Sequence, residues 1–427
     1  MRYPDIMASL VVALLNFGVQ AGTPSFTCET DKPALSYAPG EKMTFKISLL
    51  ENGKSIEGKT LKWTISGDDG NRKKGSEPSS HPLVLSTSIA KPGFVRVKVE
   101  VIGENGWPIR NDLGNEICFE GGAGAAVEKL QSYPEPEDFD DFWTKQKSKL
   151  ASVPLNAHLN EIPSANKQIV VFDVKVDCAG GKPVSGYLCK PKGGAIKSLP
   201  AWLYLQHYSV VSQSPALRNN ALTFSINGHG IENGKDEAYY KKLQEGELKN
   251  YAFDKAENSN PETAYFNGMA LRLMRALEFL KSQPEWDGKT LIVSGSSQGG
   301  FQALLAAGLD KDVTKCYAYH PWCCDIAGSL QERMKSYFRP EWTEALGYYD
   351  PVNHAKRVKC ETVINAGLGD YCCPPSGLAT LYNNIKTPKR ISFDQGMTHS
   401  WYDPNTFPHS SRFIIISNFT DDGKWIE

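Results

Sequence analysis

A serine between two glycines stands where an apolar segment gives way to a sequence rich in Ala and Leu. Residues 295–299 read GSSQG, with Ser297 at the centre and Gly295 and Gly299 two positions away on either side. The preceding apolar segment predicts a buried strand, and the following segment predicts a helix. Glycines at these offsets allow the sharp strand-to-helix turn that exposes a serine hydroxyl. The pattern predicts Ser297 as the nucleophile of an acyl-transfer reaction, whereas Ser296 lacks glycines at the same offsets.

An alcohol nucleophile needs a base to take its proton and an acid to orient that base. In folds with this type of turn, the acid and then the histidine follow the serine along the chain. The apolar segment 363–369 ends at Asp370, a position where α/β folds place functional groups. Residues 391–394 are predicted to form the last strand, and His399 follows them in a loop. We therefore predict Asp370 as the orienting acid and His399 as the general base.

The other histidines and acids after the serine fit these roles less well. His320 follows the serine too closely, His354 precedes the predicted acid, and His409 stands in a segment flanked by prolines. We predict His354 and His409 to be ordinary surface histidines. Three further acids do not end an apolar strand at the right point in the order: Asp350, Asp394 and Asp403.

The tetrahedral intermediate of acyl transfer carries an oxyanion that needs hydrogen-bond donors, each worth about 10²- to 10³-fold in rate. We predict the backbone N–H of Gln298, the residue after the nucleophile, as one donor. The second donor is expected from the loop after an earlier strand, and residues 206–209 follow the buried strand candidate at 201–205. His207 in this loop is predicted to line the pocket and not to act as the base.

The pattern of the first hundred residues differs from that of the rest of the chain. Short runs of alternating apolar and polar residues, separated by turn residues, predict strands that each bury one face at residues 43–49, 61–65 and 94–101. We expect a small antiparallel β-sandwich of immunoglobulin-like type over residues 22–124. The glycine-rich segment 121–126 is expected to break the chain into two units. Cys28 and Cys118 bracket the first unit, and their pairing stays open.

Residues 125–427 are predicted to form an α/β-hydrolase domain. Apolar strand candidates alternate there with helical patterns, an order typical of a mainly parallel sheet flanked by helices. Residues 138–150 predict an amphipathic helix at its start. Another helix is predicted from Pro261, with Asn260 as its N-cap and an apolar stripe that faces the core.

Charge and composition exclude several classes of function. The 427-residue chain has a formal net charge of −1, which offers no positive field to hold nucleic acid. Its ten cysteines include no C-x-x-C pair and predict no metal site, and the predicted acyl transfer requires no cofactor. The apolar run 8–19, followed by Ala21, predicts a signal peptide over residues 1–21 and a secreted or periplasmic protein. No later segment is predicted to span a membrane.

Five motifs after residue 136 form a specific combination: DFDDFW at 138–143, NGHG at 227–230, GSSQGG at 295–300, GLGDYCCPP at 367–375 and GMTH at 396–399. Together they resemble the acetyl xylan esterase and cephalosporin C deacetylase family, known as carbohydrate esterase family seven. The resemblance implies a triad of Ser297, Asp370 and His399. It also implies an oxyanion hole from the backbone N–H groups of Gln298 and Tyr208. The implied substrate is an acetylated oligo- or polysaccharide, and the leading β unit resembles the exported two-domain subset of the family.

Two segments depart from the usual family motifs. NGHG at 227–230 stands where members usually have Arg-Gly-Gln-Gly, and MTHS at 397–400 stands where they have Gly-His-Glu.

Two other functions stay open: hydrolysis of a different ester, such as a uronate methyl ester or a non-sugar acyl ester, and glycan binding by an inactive hydrolase domain. The N-terminal unit is predicted to be a packing or spacer domain, with glycan binding as the alternative.

Overall fold

The computed structural model describes residues 24–112 and 114–399, and the backbone of the strands Arg412–Phe419 and Trp425–Ile426. The predicted signal peptide lies outside the described residues, as do Asp403 and His409. Within the described part of the chain, the helices are too short or too polar to cross a membrane.

Residues 25–125 consist mainly of strands and are called the N-terminal β region here. Its described strands are β1 (Ser25–Thr30), β2 (Met43–Glu51), β3 (Lys54–Ser55), β4 (Thr60–Gly67), β5 (Arg72–Pro78), β6 (Leu83–Thr87), β7 (Gly93–Ile102) and β8 (Cys118–Ala125). Within the described residues they form two four-stranded antiparallel sheets. In one sheet β2 pairs with β1, β3 and β6, and the other has the order β5-β4-β7-β8. The immunoglobulin-like character of this region stays a prediction.

The glycine-rich segment 121–126, where the sequence predicts the boundary between two units, includes the end of β8 at Ala125. Most of it forms the second half of β8, which is buried and pairs with β7. The missing side chains allow this burial, because a Cβ atom on Gly122 would lie 2.1 Å from the carbonyl oxygen of Val95. The chain therefore leaves the N-terminal β region through a closely packed strand.

Cys28 and Cys118 are free thiols, as are the other eight cysteines.

The remainder of the chain is built on one large mixed sheet. Its described strands are β9 (Ala157–Ile162), β10 (Ile169–Val176), β11 (Val184–Pro191), β12 (Leu199–Leu205), β13 (Leu222–Ile226), β14 (Trp286–Ser296), β15 (Lys315–Tyr319), β16 (Glu361–Gly367), β17 (Lys389–Asp394), β18 (Arg412–Phe419) and β19 (Trp425–Ile426). These eleven described strands have the order β19-β18-β17-β16-β15-β14-β12-β13-β11-β10-β9.

The parallel pairing that the sequence predicts is confined to the centre of this sheet. Strands β12 to β17 run parallel, whereas β9 to β11 on one side and β18 and β19 on the other pair antiparallel with their neighbours. The strand that contains residues 391–394 is β17, and β18 follows it, so it is not the last strand. The loops after β12, β14, β16 and β17 leave one edge of the parallel centre, where α/β folds bind ligands.

The described helices are α1 (Phe139–Ala151), α2 (Glu237–Glu245), α3 (Tyr265–Lys281), α4 (Gln298–Leu309), α5 (Pro351–Ala355) and α6 (Pro375–Asn384). Helices α3, α4 and α6 pack against the sheet, and α5 packs against α4 and α6. Short 3₁₀ turns lie at Val127–Lys129, Glu257–Ser259, Ile326–Gln331 and Glu344–Tyr348. A mixed sheet with helices packed on it agrees with the α/β class that the sequence predicts.

The helix predicted from Pro261 begins later, at Tyr265. Asn260 caps an isolated turn instead, because its side chain accepts the N–H of Glu262 and its carbonyl accepts the N–H of Ala264. Ala264 has an extended conformation, with ψ of 137°, and this interrupts the helical path. The apolar stripe of α3 is buried in the core, as predicted.

Candidate active site

Ser297 lies at the sharp turn between β14 and α4. Its backbone has φ of 55° and ψ of −118°, a region that costs about 1–3 kcal/mol for a residue other than glycine. A Cβ atom on Gly295 would lie 2.3 Å from the backbone of Gly299, and one on Gly299 would lie 2.3 Å from the carbonyl oxygen of Leu205. Both glycines are therefore required by close backbone contacts, which is the reason that the sequence motif carries them.

His399 lies within hydrogen-bond distance of both other predicted triad residues. Its Nε2 is 3.0 Å from Oγ of Ser297, and its Nδ1 is 2.9 Å from Oδ2 of Asp370. Ser297 follows β14, Asp370 follows β16 and His399 follows β17, so three loops at one edge of the sheet bring them together. The arrangement can move a proton from the hydroxyl to the imidazole while the carboxylate holds the ring.

The side chain of Asp370 is fully buried and held from both sides. Its Oδ1 accepts the backbone N–H groups of Cys372 at 3.0 Å and Cys373 at 2.9 Å, which leaves Oδ2 for His399. Backbone donors of this kind stabilise the ionised carboxylate. The acid is therefore fixed in orientation before any ligand binds.

The pKa of His399 is raised above its ordinary value of 6.5. Burial opposes the charged form and lowers this pKa, but the hydrogen bond to Asp370 and the negative charge of that residue outweigh the burial, with a further contribution from Cys372. The imidazolium that forms when His399 accepts a proton is thus stabilised in place.

Two backbone segments border Ser297 where an oxyanion would form. Gln298 is the first residue of α4, and the first N–H groups of a helix have no partner within the helix. The loop with Tyr208 follows β12, in which Leu205 pairs with Gly295 of β14. These positions agree with the predicted roles of the Gln298 and Tyr208 N–H groups, which stay predictions.

The NGHG segment that departs from the family motif supports this second loop. The N–H of Gly228 donates to Oε1 of Gln206 at 3.1 Å, and Nε2 of His229 lies 2.8 Å from the carbonyl oxygen of Ser209. Buried Arg272 donates to the carbonyl of Gly228 at 2.8 Å. These contacts could not be predicted from the sequence, since they depend on how three separate segments pack.

Tyr208 belongs to a cluster of aromatic rings, which the sequence did not identify as a group. The ring of Tyr208 lies 4.2 Å from that of Tyr251, 5.5 Å from that of Trp322 and 4.9 Å from that of Phe338, measured between centroids. The backbone N–H of Trp322 donates to the carbonyl of Ser297 at 3.0 Å. The backbone of Trp322, whose ring belongs to this cluster, is therefore joined directly to that of Ser297.

A further serine–histidine contact lies next to Ser297. Oγ of Ser296 is 2.7 Å from Nε2 of His320, and the His320 ring lies 5.2 Å from the His399 ring. The sequence rejects both residues as members of the triad, and it offers no signal that they would meet. His207 is exposed beside Tyr208.

His354 is fully buried, so the prediction of a surface histidine is wrong. Its ring packs against Phe139 and Trp143, and its Nε2 lies 3.0 Å from the carbonyl of Tyr348. The residue is therefore held in the interior by ring packing and a hydrogen bond, and it is not a solvated surface residue. The two weaker acid candidates hold neighbouring structure instead: Asp350 accepts backbone N–H groups of Asp325 and Val352, and Asp394 accepts the side-chain amide of Asn365.

One group among the described residues has the donor set for a soft metal ion. The sulfur atoms of Cys372 and Cys373 and a ring nitrogen of His399 lie within 4.8 Å of one another. However, Nδ1 of His399 is already engaged by Asp370, and an ion would have to displace that contact. The group is therefore better explained as part of the surroundings of the histidine.

Comparison with known proteins places the chain in a family. The model of the acetyl xylan esterase family matches residues 125–413, which is more than half of the chain. The acetyl esterase Axe7A of Xylanibacter ruminicola is 28% identical over 333 residues, which cover 71% of this chain and 70% of that protein.

Two solved structures share the fold of this part of the chain. The acetyl xylan esterase from Paenibacillus sp. R4 superposes with a TM-score of 0.54 and 24% identity, over 66% of this chain and 96% of that one. Acetyl xylan esterase 1 from Thermoanaerobacterium sp. JW/SL YS485 gives a TM-score of 0.52 and 21% identity, over 66% and 95%. The chain therefore belongs to the acetyl xylan esterase family and is a carboxylic ester hydrolase.

Proposed function

We propose that this protein removes acetyl groups from acetylated saccharides through an acyl-enzyme formed on Ser297. The observation that carries the proposal is the position of His399, whose two ring nitrogens face the Ser297 hydroxyl at 3.0 Å and the Asp370 carboxylate at 2.9 Å. This is the hydrogen-bond chain that activates an alcohol nucleophile. The choice of an acetylated saccharide is supported by the names of the related esterases.

In the first half of the reaction, Oγ of Ser297 attacks the ester carbonyl while Nε2 of His399 takes its proton. The oxyanion is stabilised by the backbone N–H groups of Gln298 and Tyr208. Collapse of the tetrahedral intermediate breaks the bond to the sugar oxygen, which leaves as an alcohol with the proton from His399. The acetyl group then remains on Ser297.

In the second half, water attacks the acetyl-serine and His399 takes a proton from it. Collapse of the second intermediate returns that proton to Oγ of Ser297 and releases acetate. Asp370 holds the imidazole in the orientation that each step needs.

Acetate release from acetylated xylo-oligosaccharides tests the proposal directly. We expect the wild-type protein to release acetate and to leave methyl-esterified uronates intact, and we expect Ser297→Ala to release none above background. Release of methanol from the uronate esters, with no acetate from the acetylated sugars, would favour the other ester class. Wild-type protein that hydrolyses neither substrate, and that does not react with a serine-directed fluorophosphonate, would support the inactive glycan-binding alternative.

A further inference from the structure

We propose that the N-terminal β region positions the loops that carry Asp370 and His399, with Gln395 as the main positioning residue. This inference rests on the proposed function, because it takes both residues as parts of the reaction. It assigns to the N-terminal β region a role that neither a spacer nor a glycan-binding module has. The evidence is a set of contacts between β7 and β8 on one side and the two loops on the other.

The loop that carries His399 is fastened to β8 by Gln395. This side chain is 4% exposed, and its Oε1 accepts the N–H of Gly122 at 2.8 Å while its Nε2 donates to the carbonyl of Gly122 at 2.9 Å. Two opposed hydrogen bonds fix both the distance and the orientation of the amide. A Cβ atom on Gly121 would lie 2.1 Å from Oε1 of Gln395, so β8 has room for this contact only because it carries glycine there.

The loop that carries Asp370 rests on the same strand. A Cβ atom on Gly369 would lie 2.1 Å from the carbonyl oxygen of Glu120 in β8, so the two backbones are in direct contact. The next residue after the acid, Tyr371, is 2% exposed and lies under the guanidinium of Arg96 in β7, 4.2 Å from the ring centroid. Arg96 is itself paired with Glu120. The residues on both sides of Asp370 are thus held by the N-terminal β region.

The two loops also contact each other, so a shift in β8 would displace both loops. The N–H of Gly369 donates to the carbonyl of Met397 at 3.1 Å. Buried Asp68 adds a further link, because one oxygen accepts the N–H of Phe94 in β7 and the other accepts the N–H of Met334, each at 2.8 Å. A displacement of about 1 Å in a catalytic group can cost about 10²-fold in rate. Support from β7 and β8 therefore helps to hold the reacting atoms at the distances that the reaction needs.

The first test compares Gln395→Ala with Asn383→Ala in the full chain. Asn383 of α6 is a matched control, because its amide also makes two hydrogen bonds to backbone near the end of β8, at Val127 and Leu130, but at a point remote from both loops. We expect Gln395→Ala to lower kcat about 10- to 100-fold with KM little changed, and Asn383→Ala to keep kcat near wild type. Thermal unfolding of both variants measures the loss of stability that they share. Equal kcat in the two variants at equal stability would overturn the proposal.

The second test keeps the proposal falsifiable if Gln395→Ala does not fold. Arg96→Ala removes the cation above Tyr371, and Arg110→Ala removes an arginine that pairs with Glu116 in the same region. We expect a loss of kcat of about 2- to 5-fold in Arg96→Ala only, the size of a cation–π contact. Equal kcat in Arg96→Ala and Arg110→Ala would overturn the proposal.

The Ser297→Ala variant distinguishes failure of the proposed function from failure of the positioning role. If Ser297→Ala keeps wild-type activity, the proposed function fails. If Ser297→Ala is inactive and Gln395→Ala is unaffected, only the positioning role is overturned.

Discussion

Two serine–histidine contacts lie side by side in this protein, and they differ in what surrounds them. Ser297 is 3.0 Å from His399, and Ser296 is 2.7 Å from His320. Nδ1 of His399 faces the buried carboxylate of Asp370, whereas Nδ1 of His320 is buried and has no hydrogen-bond partner among the described residues. Distance alone would favour the second contact, so the proposal of Ser297 as the nucleophile depends on the environment of each imidazole.

The surroundings of the two imidazoles shift their pKa values in opposite directions. Burial lowers the pKa of His399, but Asp370 and Cys372 together stabilise the charged form more than burial penalises it, so this pKa is raised. The pKa of His320 is lowered, mainly by burial. An imidazole with a lowered pKa binds a proton less readily and is a weaker general base. The two contacts therefore differ in the acid beside the histidine and in the strained turn at Ser297, and these two features support the proposal of Ser297 as the nucleophile.

The largest effect is expected from Ser297→Ala. Loss of the Ser297 hydroxyl should lower kcat about 10⁶-fold, because no other hydroxyl among the described residues has both a strained turn and an imidazole paired with an acid. Hydrolysis of p-nitrophenyl acetate measures this loss. Activity within a few-fold of wild type would show that the wrong serine has been chosen.

Asp370→Asn is expected to have the second largest effect. The amide keeps the size of the side chain but removes its charge and presents the wrong hydrogen-bonding group to Nδ1 of His399, which should lower kcat by about 10⁴-fold. The same assay measures it, with a folding control by circular dichroism. A folded variant with full activity would show that His399 needs no carboxylate.

The pH profile sharpens the contrast between the two histidines. His399 must be neutral to accept a proton, so activity rises as pH passes upward through its pKa. Because that pKa is raised, the acid limb of kcat/KM should lie above pH 6.5. Besides Asp370 and Cys372, the ring is faced by Cys373, whose Sγ lies 3.6 Å from Nδ1, and by His320, whose pKa is lowered by burial. In Asp370→Asn the limb should move to lower pH, and an unmoved limb would mean that another group titrates.

The smallest effect is expected from Ser296→Ala. This variant removes the contact with His320 but leaves the turn, His399 and Asp370 in place, so kcat/KM should stay near wild type. It is the matched control for Ser297→Ala, because the two residues are adjacent and undergo the same substitution. A loss comparable with that of Ser297→Ala would assign chemistry to the second contact.

Part of this arrangement could be predicted from the sequence because local backbone demands leave a clear signature. A Cβ atom on Gly295 or Gly299 would clash with neighbouring backbone, so both positions require glycine. Such a requirement is visible in the sequence as a motif. The order of serine, acid and histidine limited the candidates for the other two roles. The ends of β14, β16 and β17 then brought Ser297, Asp370 and His399 together.

The rest depends on contacts between distant segments that carry no local pattern. Gln395 and Gly122 are separated by 273 positions, and nothing in either segment indicates that they meet. The glycines of β8 have the composition of a linker, yet they are buried, because a bare backbone can closely approach β7 and the side chain of Gln395. The pairing of Ser296 with His320 and the burial of His354 are hidden for the same reason. Their environments are set by tertiary packing and not by neighbours in sequence.

The most direct test of the central claim is to map the site of covalent labelling by a fluorophosphonate. Peptide fragmentation by mass spectrometry can distinguish adjacent serines in the segment 295–299. We predict a single adduct on Oγ of Ser297, equal labelling of Ser296→Ala, and no labelling of Ser297→Ala. An adduct on Ser296, or a labelled Ser297→Ala variant, would contradict the assignment of the nucleophile.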